Sequence, residues 1–226
     1  GEGERKNAWE RLRRLGRLHS EIKEWKWARL VGLKDQIASL EKGMAAAADK
    51  PAKGMVQKEA DTQEALSIAG RIDFLQEEQK KCYADISAYQ AELERTRAWG
   101  DIDPGEIAFL AEKGIVLSFH EMSPSVYDKL GDTARTIVLE RTKDIVRFLL
   151  INDGTLTEED KIQLERSRFK LPDAATGEIR KKLEDARRQL QSLKEEPEAL
   201  EASRPKMERA VATWKRGAEF ETYAQG

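Results

Sequence analysis

The chain has 226 residues, of which 36% are charged, and its 40 basic and 42 acidic side chains give a net charge of −2. Both signs are interspersed, which excludes a nucleic-acid binder with a segregated basic face, and the single cysteine excludes an internal disulfide. No apolar run approaches the roughly 20 residues that span a bilayer. The mean hydropathy of −0.69 and the regular apolar spacing predict a soluble chain of elongated helices with a thin core.

The first predicted helix covers about residues 7–44, and its apolar stripe shifts phase near Trp27. The stripe consists of Leu12, Leu15, Leu18, Ile22 and Trp25, then Leu30, Leu33, Ile37, Leu40 and Met44. Pro51 and Gly54 follow a stretch of low helix propensity and predict a turn or loose linker. Residues 1–54 are therefore interpreted as a proximal helix and linker. The start Gly1-Glu2-Gly3, without an initiator methionine, suggests an excised or engineered fragment.

A stricter repeat marks residues 55–98 as the outgoing helix of a coiled coil. Its seam follows alternating steps of three and four: Ala65, Ile68, Ile72, Leu75, Gln79, Cys82, Ile86, Tyr89, Leu93 and Thr96. Such a 3.5-residue repeat predicts a left-handed coiled coil. Residues 173–226 are predicted to return antiparallel, with a matching seam at Ile179, Leu183, Ala186, Leu190 and Leu193. Pro197 and Pro205 predict a kink or break at each position.

Residues 99–172 change character and predict a small α/β lobe. Asp103-Pro104 reads as a helix start, Ser123-Pro124 begins a second short helix, and Thr157 caps a third. Strands are predicted from Ile115, over residues 135–141 and 145–151 as a hairpin, and over 168–171. The order strand, helix, strand, strand, helix, strand is ferredoxin-like. The predicted fold class is mainly α with a small α+β lobe: a long antiparallel coiled coil capped by that lobe.

No catalytic, cofactor-binding or metal site is predicted, so the chain is not expected to be an enzyme. The glycines lack nucleotide-binding spacing, and the two histidines lie in different segments. His120 is expected to be a surface or half-buried residue that shares a strand face with Ser118 by alternation alone. Cys82 is expected to be buried and unreactive in the seam. Helix packing is favoured over a ligand cage or partner face for Trp9, Trp25, Trp27 and Trp214.

Three short motifs carry a resemblance to a known family. They are Trp99-Gly100-Asp101-Ile102-Asp103-Pro104 with Ile107, Leu110 and Gly114 after it, then Val138-Leu139-Glu140-Arg141-Thr142-Lys143-Asp144, then Phe169-Lys170-Leu171-Pro172. In this order, within the coiled-coil frame, they resemble the cytoplasmic N-terminal domain of subunit I of V-type (A-type) ATP synthases, which is homologous to V-ATPase subunit a. The resemblance covers roughly residues 60–222. Residues 12–19 resemble the start of that family's proximal lobe only faintly, since charged residues replace the expected apolar strand.

The resemblance implies a non-catalytic stator arm on the cytoplasmic side of the membrane. In that family the arm holds the peripheral-stalk heterodimer of subunits E and G against rotor torque. The membrane sector, with its proton path, would follow C-terminally. No cofactor, nucleic acid or small-molecule substrate is implied.

The predicted partner-binding site lies on the lobe. Alternation places Arg135, Ile137, Leu139 and Arg141 on one sheet face, beside Ile145, Arg147, Leu149 and Ile151 on the next strand. Helices of a ferredoxin-like lobe cover one face, so the other is predicted to receive the stalk, either directly or at a rim. The candidate residues are Tyr127, Lys129, Arg135, Arg141, Lys143 and Arg147. Alternatives are that these are ordinary solvated charges, that the chain is a generic coiled-coil adaptor with a protein-binding tip, or that the lobe senses a small molecule.

Overall fold

The computed structural model describes the backbone of residues 1–47 and 56–224, and the side chains of residues 1–43 and 61–217. Residues 48–54 of the predicted linker lie outside the described residues. The chain divides into two compact units, Gly1–Tyr83 with Arg188–Gly226, and Ala84–Arg187. In chain order the elements are α1 (Glu2–Ala47), α2 (Val56–Thr96), α3 (Pro104–Glu112), β1 (Leu117–Met122), α4 (Pro124–Tyr127), β2 (Arg135–Arg141), β3 (Val146–Ile151), α5 (Glu158–Arg166), β4 (Arg168–Phe169), α6 (Thr176–Glu201) and α7 (Arg204–Ala224).

The first unit is helical, and its core joins α1, α2 and α7. The buried side chains are Leu30, Ile37, Ala65, Ile68, Ala69, Ile72, Met207, Ala210, Val211 and Trp214. Polar contacts between α2 and the helices α6 and α7 show that they run antiparallel. Glu64 pairs with Lys206 at 2.8 Å, and Arg71 Nη2 donates to Glu196 Oε2 at 2.8 Å, so residue numbers rise in α2 as they fall in its partners. The antiparallel pairing predicted from the seams is confirmed in this unit, and so is the burial of Cys82.

At Pro197, where a kink or break is predicted, the helix is not broken. Helix α6 continues through Pro197 to Glu201, and the chain turns only before Arg204. Proline cannot donate to the carbonyl four residues earlier, which leaves the Leu193 oxygen without its helical partner. Gln79 Nε2 donates to that oxygen at 3.3 Å. Pro205 is the second residue of α7, where a missing N–H costs little.

In the second unit, the end of α2 and the start of α6 are held together by a polar contact. The Ile102 N–H donates to Thr176 Oγ1 at 3.1 Å, and the Thr176 N–H donates to the Ile102 carbonyl at 3.0 Å. Arg180 Nη2 donates to Asp101 Oδ1 at 2.6 Å and holds the pKa of that carboxyl below its ordinary value. Asp103 caps α3 by accepting from the Gly105 N–H at 2.9 Å, as predicted, and α3 ends before Gly114, whose φ is +87°.

The lobe contains a four-stranded sheet in the order β2-β3-β1-β4, with antiparallel neighbours throughout. This order, with helices after β1 and β3, confirms the ferredoxin-like prediction. The ladder between β2 and β3 shifts register between Val138 and Glu140. One extra residue in a strand reverses the alternation of everything beyond it, so this bulge changes which charges share a face.

Candidate partner-binding surface

One face of the sheet is buried under the helices that follow β1 and β3. Its core contains Met122, Val146, Phe148, Leu150 and, from α5, Leu164. The Tyr127 ring lies 5.0 Å from the Phe148 ring, and the Tyr127 hydroxyl is hydrogen-bonded to Thr136 Oγ1 at 2.7 Å. Tyr127 therefore contributes to the fold of the lobe, and its ring is only partly accessible to a partner.

The second face is also largely covered, contrary to the prediction that helices cover only one. Trp99, in a short turn after α2, lies 5.1 Å from both Phe119 and Phe169. Ile107 of α3 packs against the same cluster. The Trp99 indole N–H donates to Glu121 Oε1 at 3.0 Å. Since β1, β4 and part of β3 are covered on this side, the open surface of the sheet is its β2 edge.

The β2 edge, residues 135–141, exposes three consecutive apolar side chains. Ile137, Val138 and Leu139 are between 43% and 51% exposed. As an edge strand, β2 pairs on one side with β3 and presents unpaired backbone groups on the other. Exposed apolar residues on such an edge are typical of a protein-binding surface.

The bulge separates the basic residues that simple alternation placed together. Arg135 and Ile137 pair with Ile151 and Leu149, on the Trp99 side of the sheet. Arg141 pairs with Val146, on the side of α4. The prediction that Arg135 and Arg141 share a face is therefore wrong, because Leu139 adds one residue between them.

Arg141 is held at the end of β2 by Asp128. Its Nη1 and Nη2 donate to the two carboxylate oxygens, each at 2.9 Å, and its guanidinium lies 5.8 Å from the centre of the Tyr127 ring. The Arg141 guanidinium lowers the pKa of Asp128 below its ordinary value. Lys129 and Lys143 are exposed. Arg141 and Tyr127 are thus brought together at one end of the edge.

Arg147 and Arg135 form ion pairs with acidic side chains of the lobe. Arg147 Nε donates to Glu121 Oε1 at 3.0 Å, and its Nη1 donates to Glu140. Arg135 Nη1 lies 3.5 Å from Asp153 Oδ2 at the opposite end of β2 from Arg141. These two arginines have acidic partners within the lobe, so Lys129 and Lys143 remain the exposed cations best placed to meet an acidic partner.

His120 is fully buried, where a surface or half-buried residue was expected. Its Nε2 lies 2.6 Å from Ser118 Oγ, its Nδ1 lies 3.1 Å from Ser167 Oγ, and its ring stacks on Phe148 at 5.4 Å. Burial lowers the pKa of His120 from 6.5 to about 4. The two serine hydroxyls form hydrogen bonds with both nitrogens of the neutral imidazole, which indicates that His120 has a structural role in the lobe.

This pKa predicts how the lobe responds to acid. The unfolded chain binds a proton at His120 below about pH 6.5, whereas the folded chain binds it only near pH 4. The contribution of neutral His120 to the free energy of unfolding is therefore fully present above pH 6.5 and decreases as the pH falls towards 4. His120→Asn removes the titration, and its unfolding free energy should change less over this interval than that of the parent protein. Urea unfolding at several pH values measures the difference. Equal slopes for the two proteins would contradict it.

The described part of the chain contains no grouping of three or more His, Cys, Asp or Glu side chains suited to a metal ion. Within the same residues, no helix combines the length and the apolar character needed to cross a bilayer.

The four tryptophans of the predicted helices fall into two pairs. Trp214 is buried in the core of the helical unit, its indole N–H donates to Thr62 Oγ1 at 3.2 Å, and Trp27 packs on the same core. Trp9 and Trp25 are exposed. The packing prediction is confirmed for the first pair and wrong for the second.

Together these features define a mainly helical protein with antiparallel paired helices and a ferredoxin-like lobe that has one open, partly apolar edge. No family model matches the chain. It is 25% identical over 195 residues to "V-type ATP synthase subunit I 1" of Treponema pallidum (strain Nichols), an alignment that covers 84% of this chain. The chain spans 31% of that protein's length. The sequence similarity confirms the resemblance to subunit I.

A solved structure was also matched. It is the crystal structure of the cytoplasmic N-terminal domain of subunit I, homologue of subunit a, of V-ATPase, with a TM-score of 0.37 and 16% identity. The match covers 88% of this chain and 70% of that one.

Proposed function

We propose that the chain is a non-catalytic stator part of a V-type or A-type rotary ATPase, on the cytoplasmic side of the membrane. The observation that carries this proposal is the similarity to subunit I over 84% of the chain. In this proposal residues 99–172 are the distal lobe, residues 55–98 and 173–226 are the helices of the arm, and residues 1–54 are its proximal part. The membrane sector is reached through the remainder of the subunit.

The paired helices suit a part that resists torque. Packed antiparallel helices bend less readily than a linker of equal length. Contacts between the two helices of the arm fix their register: Glu64 pairs with Lys206 at 2.8 Å, and the Trp214 indole N–H donates to Thr62 Oγ1 at 3.2 Å. A helix pair that cannot slide transmits a load along its length.

The β2 edge is the proposed docking surface for the stalk heterodimer of subunits E and G. Ile137 and Leu139 supply apolar contact, and the unpaired backbone of β2 can add hydrogen bonds. In this proposal the exposed cations Lys129 and Lys143 meet acidic side chains of the partner. The original candidates Tyr127, Arg135 and Arg147 support this surface through their contacts within the lobe.

The test is the affinity for purified E/G heterodimer. Lys129→Glu combined with Lys143→Glu should weaken binding about tenfold near 0.1 M salt, because charges at an interface rim act mainly through long-range attraction. These two lysines are exposed, so the lobe should stay folded. Lys80→Glu with Lys81→Glu, on the exposed surface of α2, makes the same charge change elsewhere and serves as the control.

Biolayer interferometry with immobilised heterodimer gives the dissociation constant of each variant. An affinity that is unchanged in the Lys129/Lys143 variant removes this rim as the site. A heterodimer that does not bind the parent protein at all removes the proposed docking function.

A further inference from the structure

Two rows of side chains run across one face of the lobe sheet, on the side that Trp99 covers. The first row is apolar and takes one residue from each strand. In the order of the strands β4, β1, β3 and β2, its members are Phe169, Phe119, Leu149 and Ile137. Trp99 lies 5.1 Å from both phenylalanine rings, at one end of the row. The other end stays open, because Ile137 on the edge strand is 48% exposed.

The second row is charged and lies beside the first. It consists of Glu121 on β1, Arg147 on β3 and Glu140 on β2, which the strand pairing places opposite one another. Arg147 Nε donates to Glu121 Oε1 at 3.0 Å, and its Nη1 donates to Glu140 Oε2. The bulge at Leu139 brings Glu140 into this row, because without the extra residue Leu139 would lie opposite Arg147.

The charged row ends at the β2 edge with one cation too few. Arg147 supplies one positive charge against two carboxylates, so the row keeps one negative charge in excess. At the inner end, Glu121 accepts a second hydrogen bond from the Trp99 indole N–H. At the outer end, Glu140 is 44% exposed, and among the described residues only Arg147 donates to its carboxylate. A cation beyond Glu140 would complete the row.

An extended strand is the element that lengthens both rows at once. The edge strand β2 has seven residues, six of them exposed, and it pairs with β3 alone, so the backbone groups of its outer side can pair with a further strand. On its inner side, β3 meets Ile137 and Glu140 with Leu149 and Arg147, which are two residues apart. A strand on the outer side would meet the same two positions, where opposite charges stabilise the pairing and like charges oppose it.

We propose that the stalk partner docks on the β2 edge as a fifth, antiparallel strand. This strand carries a lysine or arginine opposite Glu140 and, two positions further on, an apolar residue opposite Ile137. The inference rests on the proposed docking function of the edge and adds to it the form of the partner and the residue that selects it. Glu140 determines specificity, because a partner strand with an acid at that position would meet a like charge.

The test is the affinity of Glu140 variants for purified E/G heterodimer, measured by biolayer interferometry. Glu140→Gln should weaken binding about threefold and Glu140→Lys at least about tenfold, because the first removes and the second reverses the charge that the partner's cation meets. Glu112→Lys, at the exposed end of α3, makes the same reversal away from the edge and should bind like the parent.

The free variants need a folded lobe, which hydrogen exchange at the amides of β1 and β3 reports. Glu140→Gln keeps the shape of the side chain, so it carries the test if Glu140→Lys unfolds the lobe. In the complex, exchange should slow at every second amide of β2, because an added strand pairs only with the amides that point outward. Binding that depends on Glu140 but protects no β2 amide would overturn the strand in favour of side-chain contact.

Failure of this inference can be told apart from failure of the proposed function. Suppose that the heterodimer loses affinity for the Lys129→Glu/Lys143→Glu variant but binds Glu140→Gln and Glu140→Lys as tightly as the parent. The inference would then be wrong, and the docking surface would stand. A heterodimer that does not bind the parent removes both. A dimer of the parent that Glu140→Lys dissociates would also overturn the inference, because a second copy of β2 would be the occupant.

Discussion

Replacing Phe148 with alanine is expected to lower the free energy of unfolding of the lobe by about 3–5 kcal/mol. Phe148 is completely buried in β3, which pairs with both β1 and β2. Its ring contacts the rings of His120 and Tyr127, so its loss opens a cavity between the sheet and the helices on that face. Few single changes in the lobe should cost more.

Hydrogen exchange at the amides of β1 and β3 measures this loss directly, since these amides exchange only when the lobe opens. Phe109→Ala is the matched control, because Phe109 is mostly exposed on α3. Equal exchange rates in the two variants would show that Phe148 does not hold the lobe together.

In the helical unit, Ile72→Ala is expected to cost about 2–5 kcal/mol. Ile72 is completely buried in the core shared by α1, α2 and α7, so the deleted carbons leave a cavity where three helices meet. Phe74, two residues away, is half exposed and lies against Arg71 at 4.9 Å. Phe74→Ala should cost less than about 1 kcal/mol despite removing more atoms.

Urea unfolding followed by circular dichroism at 222 nm compares the two variants of α2. A smaller loss for Ile72→Ala than for Phe74→Ala would mean that the seam faces another way. That result would also remove the antiparallel pairing as the source of stiffness in the proposed stator.

Regular patterns predicted much of the fold. The heptad steps of α2 and α6 located the paired helices because apolar residues that recur on one face of a helix pack against a neighbouring helix. The cap at Asp103 was readable because it depends only on residues within one turn. The ferredoxin-like order followed from local strand and helix signals taken in sequence.

The misses came from contacts between residues distant in sequence. Helix α6 continues through Pro197, and Gln79, 114 residues earlier than Leu193, donates to the carbonyl that proline leaves unpaired. A polar residue in an otherwise apolar seam was the available sign of this contact. Trp99 covers the second face of the sheet because the chain turns it back onto β1, which strand alternation does not reveal.

The candidate surface was predicted less well than the fold. A bulge of one residue at Leu139 moved Arg141 to the other face, and alternation counts cannot detect an inserted residue. The unbroken apolar run Ile137-Val138-Leu139 was the signal that could have located the open edge. Arg147 was singled out for its charge, but Glu121 and Glu140 occupy it within the lobe.

The most direct measurement is hydrogen exchange of the chain with and without E/G heterodimer. If the β2 edge receives the stalk, exchange should slow at the outward-facing amides of residues 135–141, and the Lys129→Glu/Lys143→Glu variant should lose this protection. Bound heterodimer that leaves those amides unchanged and protects only other segments would contradict the proposed docking surface.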